Sequence, residues 1–275
     1  MILLENLKKW KREREQEIAF WLREGEKGIS VTYGKWISDS CSLAGRLMEK
    51  GWKKKNIAVI LPNCYEWFVA FYGIILSGNI AVSINWELGR EELENLFGKM
   101  DIQAVFLDSS AKSNSEDVVW QKRYIEDLSG WLTEEDRGIG KTEMCLEELE
   151  EQGLLPEDNE TAFMLLSSGT SGSSKGVMLS LNNLFSMHED FLWKGHMDSF
   201  LVSLPLHHVA AVQLTMMFLA QGTVLAICES GKYLMKDLLF FKPQVMSVVP
   251  LQLDFIAGRA GKRKEVAEVL KKHTK

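Results

Sequence analysis

The polarity pattern of this chain changes period along its length. Leu3, Leu7 and Trp10 fall at the spacing of one helical face, and Ile18, Trp21 and Leu22 do the same further on. The opening segment is therefore predicted as an amphipathic helix bent around a charged middle that reads as a solvated face. Val31-Thr32-Tyr33 is a short β-type run leading into a helix over about 35–50. From Asn56 a repeating unit sets in: strand 57–61, helix 65–76, strand 80–84, helix 90–100, strand 104–107. Short apolar strands alternating with helices imply a largely parallel sheet with helices on its faces.

Residues 109–156 break the rhythm with charge and with glycines at 130, 138 and 140, and offer one helix over 144–152. Gly140-Lys141-Thr142 looks like the end of a Walker A motif, but Glu135 stands where its first glycine must be, so the match is read as chance. The alternation then resumes. Apolar runs at 163–166 and 177–179 flank a polar loop, and Ser180 is suited to cap a helix to about Trp193. A strand over 200–204 follows, then a helix ending at Leu219, strand 223–227, helix 234–241, strand 245–249, and a helix from Leu251 after Pro250. Arg259 to Lys275 is highly charged and offers only Val266, Val269 and Leu270 as a narrow apolar face.

The polar loop carries the chemistry. Ser167-Ser168-Gly169-Thr170-Ser171-Gly172-Ser173-Ser174 ends at Lys175-Gly176 between two apolar runs that read as strands. Glycines reach positive φ without steric cost, so successive backbone N–H groups can turn toward one anion, and hydroxyls and a lysine add donors and charge. Such a loop suits phosphate. A Walker A loop would need Gly before and Ser or Thr after the lysine, a G-x-S-x-G elbow would need glycine at Ser173, and an S-x-x-K motif would need serine at Gly172. A flexible Gly/Ser linker fits the composition but not the apolar runs on both sides.

Composition narrows the rest. The 275 residues are 46% hydrophobic and 25% charged, which suits a packed protein rather than a disordered one. A net charge of -6 argues against a nucleic-acid surface and toward a small partner. Cys41, Cys64, Cys145 and Cys228 form no C-x-x-C pair, which suggests buried thiols in a reducing compartment rather than zinc or disulfides. The start, MILLENLKKWKRERE, has the wrong order of charge and apolar residues for a secretory signal, so a cytoplasmic location is expected. The uncharged stretches 67–86 and 199–228 are interrupted by Gly73, Ser77, Gly78 and Asn79, and by Pro205 and Gly222, and read as soluble core rather than membrane spans.

The loop resembles the phosphate-binding signature of the adenylate-forming (AMP-binding) superfamily, Ser/Thr-Ser-Gly-Ser/Thr-Thr-Gly-x-Pro-Lys-Gly. Ser167 through Gly172, then Lys175 and Gly176, fall on that pattern, with Ser171 a conservative change and Ser174 in place of proline. Pro205-Leu206-His207-His208-Val209-Ala210-Ala211 resembles the family's Pro-Leu-x-His-x-x-Gly, with His208 on its histidine and Ala211 on its glycine. Thr32-Tyr33, Asn63 with Glu66-Trp67, Ser77-Gly78 and Val82-Ser83-Ile84-Asn85 are similar to early core motifs and are read as scaffold. The run 204–227 with Lys242-Pro243 and Val248-Val249-Pro250 is most similar to bacterial long-chain fatty acyl-CoA ligases.

The resemblance implies an α/β fold of layered sheets flanked by helices, as in the N-terminal domain of acyl-CoA synthetases, incomplete at the C-terminus. It divides the chain into a first α/β part over about 1–155, a phosphate-loop and acyl-pocket part over about 156–260, and a charged tail at 261–275. It implies activation of a carboxylic, and specifically a fatty, acid by ATP with Mg²⁺, followed by transfer to CoA as cosubstrate. Ser167, Ser168, Gly169, Thr170, Ser171, Gly172 and Lys175 would bind the β- and γ-phosphates, with Lys175 neutralising the leaving group. His208 would sit at the carboxylate end of the acyl pocket, and His207, Val249 and Pro250 would line it, although the segments 209–219 and 245–253 serve equally well as plain core. No residue is assigned to metal. The family's downstream Tyr-Gly-x-Thr-Glu and Thr-Gly-Asp motifs are absent, so the chain by itself is expected to be inactive and either to self-associate or to require a completing C-terminal chain. An aryl- or amino-acid-activating domain and a non-catalytic remnant of the same fold remain alternatives. Segment 199–228 contains no acidic residue to meet a substrate amine.

Overall fold

The computed structural model describes residues 2–107, 124–127, 144–167, 175–185 and 197–260. The chain opens with helix α1 (Ile2–Arg14), which buries Leu3, Leu4, Leu7 and Trp10 as the spacing requires. The helical reading fails beyond it. Ile18, Trp21 and Leu22 lie on strand β1 (Ile18–Glu24), which hairpins into β2 (Lys27–Thr32). Helical and extended readings compete in this stretch, and a distant partner decides: β1 pairs in parallel with β10 (Val224–Ile227) and buries Ala19 and Phe20 completely. A local signal was available in Gly25, which takes φ +61° in the two-residue turn between the paired Glu24 and Lys27.

Thr32 caps helix α2 (Tyr33–Glu49), its hydroxyl accepting the Lys35 N–H at 3.2 Å. The repeating unit follows as the alternation predicts: β3 (Asn56–Ile60), α3 (Tyr65–Leu76), β4 (Ile80–Ser83), α4 (Arg90–Lys99) and β5 (Ile102–Leu107). Then come β6 (Tyr124–Asp127), helix α5 (Leu146–Gln152), β7 (Thr161–Ser167), β8 (Lys175–Ser180) and the short helix α6 (Leu181–Phe185). The last part contains β9 (Ser199–Val202), α7 (Val209–Gln221), β10, α8 (Leu234–Phe241), β11 (Val245–Met246) and α9 (Pro250–Ala260), with Pro250 at the first helical position.

The strands form two mixed sheets. One is five-stranded, in the order β11-β9-β10-β1-β2, and the other six-stranded, in the order β6-β5-β3-β4-β7-β8. Each is parallel except for one antiparallel hairpin, β1–β2 and β7–β8. Successive residues of β3 face opposite ways: Ile57 and Val59 join the main core, while Ala58 and Ile60 meet Leu93 and Phe97 of α4 on the far face. On the outer face of the five-stranded sheet, Leu201 and Ala226 pack with Leu234 and Phe241 of α8. Helix α3 lies between the sheets, with the Phe68 ring tilted against Phe20 of β1 at 4.8 Å and Phe71 lying 5.4 Å from Phe163 of β7. A helix apolar on nearly every side is what such a position demands. Its contact with α2 is close enough that a Cβ at Gly73 would come within 2.8 Å of Leu43.

Most polar groups described in the interior are paired, the Trp36 indole N–H and the Thr223 hydroxyl being exceptions. Asp237 of α8, 1% exposed, accepts a hydrogen bond from Arg23 Nε of β1. Burial, and then the carboxylate of Asp237, push the neighbouring Cys228 thiol well up. Cys41 is also buried and is pushed up to about 12 by desolvation. Among the described residues no helix is long and apolar enough to cross a membrane.

Candidate functional site

The sequence singles out two segments, and both begin at the carboxyl ends of parallel strands, where α/β sheets leave crevices for ligands. Ser167 ends β7, and its register partner across the antiparallel hairpin is Lys175, the first residue of β8. The lysine is exposed. Ser168, Gly169, Thr170, Ser171 and Gly172 lie outside the described residues, as does the predicted helix beyond Phe185 and the charged tail from residue 261. The start of that helix is capped as anticipated: the hydroxyl of Ser180 accepts the Asn183 N–H at 3.2 Å.

The second segment leaves β9. The strand stops at Val202, two residues before its predicted end, where a side chain from the loop after β3 meets the backbone instead. Asn63, which follows β3, donates from Nδ2 to the carbonyls of Val202 at 3.3 Å and Leu204 at 3.0 Å, and its Oδ1 accepts the Leu206 N–H at 3.0 Å. Ser83, the last residue of β4, donates its hydroxyl to the Leu206 carbonyl at 3.3 Å and accepts from the Trp67 indole at 3.1 Å. The N–H of His208 closes the turn onto the Pro205 carbonyl at 3.0 Å. The backbone of His208 then starts α7, its carbonyl accepting from Ala211 at 3.1 Å and Val212 at 3.3 Å.

The two imidazoles lie with centroids 4.4 Å apart, His207 half-buried and His208 exposed. Burial, and then the adjacent His208, hold the His207 imidazole down to about 4, so it is neutral near pH 7. A neutral imidazole can donate from one nitrogen and accept at the other.

Val249 and Pro250 are exposed and lie beside this turn rather than deep in the molecule. The link is Ser203, whose hydroxyl donates to the Ser247 carbonyl at 3.0 Å and whose carbonyl accepts from Gln252 Nε2 at 3.3 Å. The predicted strand 245–249 is cut to Val245–Met246 because the chain turns to cap α9, with the Val249 N–H donating to Gln252 Oε1 at 3.3 Å. In α7, Val212, Met216, Met217, Phe218 and Leu219 belong to the main core. A cavity of about 280 Å³ between the β1–β2 hairpin and α8, lined by Trp21, Ser30 and Phe240 among others, contains none of the predicted site residues.

The Ser167–Lys175 stem and the histidine turn belong to different sheets yet are mechanically connected. Ser83 pairs with Leu165 on β7, two residues from Ser167, and also holds Leu206, the neighbour of His207. With strands about 4.8 Å apart and a rise of about 3.3 Å per residue, the Ser83 and Lys175 backbones lie about 12 Å apart. A lysine side chain and a small anion can bridge much of that span. Asn63, Ser83 and Trp67, taken from the sequence as scaffold, are thus the groups that join the two segments. Their role has no local signal, because the carbonyls that Asn63 binds are some 140 residues away in the chain. Among the described residues no group of His, Cys, Asp or Glu is arranged to hold a metal ion.

Comparison with known proteins covers most of the chain. The family described as AMP-binding enzyme matches residues 7–274. Long chain acyl-CoA synthetase 8 of Arabidopsis thaliana is 26% identical over 267 residues, covering 86% of this chain and 37% of that protein. 2-Succinylbenzoate–CoA ligase of Oceanobacillus iheyensis is 26% identical over 245 residues, covering 86% of this chain and 48% of that protein. Among solved structures, O-succinylbenzoate coenzyme A synthetase of Bacillus subtilis in complex with AMP superposes with a TM-score of 0.75 at 20% identity, over 92% of this chain and 50% of that one. The same enzyme with ATP and magnesium ion gives 0.71 at 19% identity, over 90% of this chain and 64% of that one. The fold is that of these adenylate-forming enzymes, and the chain spans half or less of the length of the curated relatives named here.

Proposed function

The chain belongs to the AMP-binding enzyme family, and from that premise we propose that it forms the ATP- and acid-binding part of an acid–CoA ligase. A carboxylic acid and ATP give an acyl-adenylate and pyrophosphate, and CoA then displaces AMP to give the thioester. The observation that carries this reading is the pairing of Ser167 with Lys175 at the mouth of the β7–β8 hairpin, connected through Ser83 to the histidine turn. Two anions, a carboxylate and a triphosphate, repel each other as they approach, so the main catalytic need is for cations and hydrogen-bond donors around the phosphates. Lys175 would meet that need with a point charge at the end of a flexible stem, together with donors from Ser167 through Gly172. Mg²⁺ accompanying ATP would share the phosphate charge.

His207 and His208 receive the carboxylate end of the acid in this reading, with Val249 and Pro250 beside them. A fatty acid is the preferred substrate, supported by the similarity to a long-chain acyl-CoA synthetase. An aryl acid is the second reading, supported by the succinylbenzoate ligase relative. The buried thiols of Cys41 and Cys228 support a reducing cytoplasmic setting. We retain the division into a first α/β part to about residue 155, a site-bearing part to about 260 and a charged tail. Within this proposal the 275 residues need the remainder of an enzyme for turnover, and robust ATP–pyrophosphate exchange by the chain alone would count against that dependence.

The experiment is Lys175→Ala in a complete enzyme containing this chain. Adenylation, read by ATP–pyrophosphate exchange, is expected to fall by about a hundredfold, the scale of losing one charge-stabilising group. Thioester formation from supplied acyl-adenylate should change little. Equal loss in both half-reactions would remove Lys175 from the role given to it. Calorimetry with ATP and with a fatty acid tests the remnant alternative, since a non-catalytic remnant would take up neither.

A further inference from the structure

We propose that Asn63, supported by Ser83, is the positioning residue that sets the histidine turn, so that one sheet places the side chains carried by the other. The proposal rests on the site reading above only for its kinetic arm. Its structural arm stands on the hydrogen bonds alone.

Past Val202 the chain leaves the ladder of its own sheet, and its next polar groups need partners. The Asn63 carboxamide supplies two donors and one acceptor, and all three meet backbone: the carbonyls of Val202 and Leu204 and the N–H of Leu206. The opposite amide orientation would set Oδ1 against two carbonyls, so this network assigns the flip. Ser83 takes the other side of the same residue, the Leu206 carbonyl, and is itself fixed by the Trp67 indole. Leu206 therefore has its N–H and its C=O held by two different side chains, one just past β3 and one at the end of β4 in the six-stranded sheet, and His207 is the next residue. Asn63, Ser83 and Trp67 are 7%, 2% and 1% exposed, so water cannot readily replace a lost bond.

Only a carboxamide has the required pattern, and glutamine would carry it one methylene further out. Aspartate at 63 has the shape but no donors, and would set a carboxylate against two carbonyl oxygens. Alanine leaves the Leu204 carbonyl and the Leu206 N–H unpaired, and leaves the Val202 carbonyl with only its backbone bond from the Cys228 N–H. At position 83, threonine keeps the hydroxyl whereas alanine removes it.

The test uses histidine-labelled chain and NMR, with the Trp10 indole in α1 as a remote reporter of folding. In Asn63→Asp and in Ser83→Ala, the His207 ring signals should shift and its titration midpoint should rise from about 4 toward the ordinary histidine value, while Trp10 is unmoved. Ser83→Thr should restore the parent spectrum. A folded Ser83→Ala chain whose His207 titrates as in the parent would overturn the proposal, and it decides the matter even if the Asn63 variant does not fold. In a complete enzyme the same variants should raise KM for the acid about tenfold, the worth of one buried hydrogen bond, and leave KM for ATP within about twofold. An unchanged KM for the acid, with the NMR shifts present, would separate failure of the site reading from failure of the positioning role.

Discussion

At the scale of residues, the informative groups are those whose environment departs from water. His207 is the clearest. Its folded pKa of about 4 lies below the ordinary value of 6.5, so the folded state resists its protonation. The associated stability is fully present above pH 6.5 and is lost as pH falls from there toward 4, where the unfolded chain binds the proton and the folded chain does not. After allowing for the part of the ring in water, the loss should be on the order of 1–2 kcal/mol. Urea midpoints measured between pH 7 and pH 4 should therefore fall less in His207→Phe than in the parent, and identical slopes would show that the ring is not held neutral. The identity of this histidine and its neighbour was legible from the Pro-Leu-His-His run. Which of the two is withdrawn from water was not, because that depends on how α7 leaves the turn.

At the scale of elements, the alternation of short strands and helices from Asn56 to Leu107 was readable because each element carries its own period, and α3 is recovered over its whole length. The connections reveal what period cannot. Gly78 follows α3 at φ +75°, and a Cβ there would meet the Leu154 carbonyl oxygen at 2.3 Å. Backbone cannot retreat as a flexible side chain can, so Gly78→Ala combines an unfavourable φ with a steric clash. A loss of about 3 kcal/mol or more is expected in denaturant unfolding, and a change below about 1 kcal/mol would mean that the 153–155 connection moves freely. The strand at 18–24 shows the opposite failure. Its residues match helical spacing well enough, and only the parallel partner β10, some 200 residues later, makes the extended form the lower in free energy.

At the scale of the whole molecule, large apolar side chains on β8 and on α9 remain in water among the described residues, besides scattered ones such as Leu239. Strand β8 ends its sheet with Val177 41% and Met178 65% exposed, and α9 presents Leu251 at 79% and Leu253 at 53%. An open strand edge and an uncovered helix face both favour association. The chain alone should therefore self-associate with concentration, and Met178→Lys with Leu251→Lys should shift sedimentation toward monomer; a parent that stays monomeric at high concentration would contradict this. Local pattern determined the α/β class, most of the helices and strands, and which residues are proposed to meet phosphate and carboxylate, because period, turn chemistry and residue type are carried within a few neighbouring positions. Tertiary structure alone decided that Ile18–Glu24 is a strand, that the strands divide between two sheets with α3 between them, and that Asn63 and Ser83 hold the histidine turn. Those outcomes depend on hydrogen-bond partners more than a hundred residues apart, and no local period encodes such a pairing.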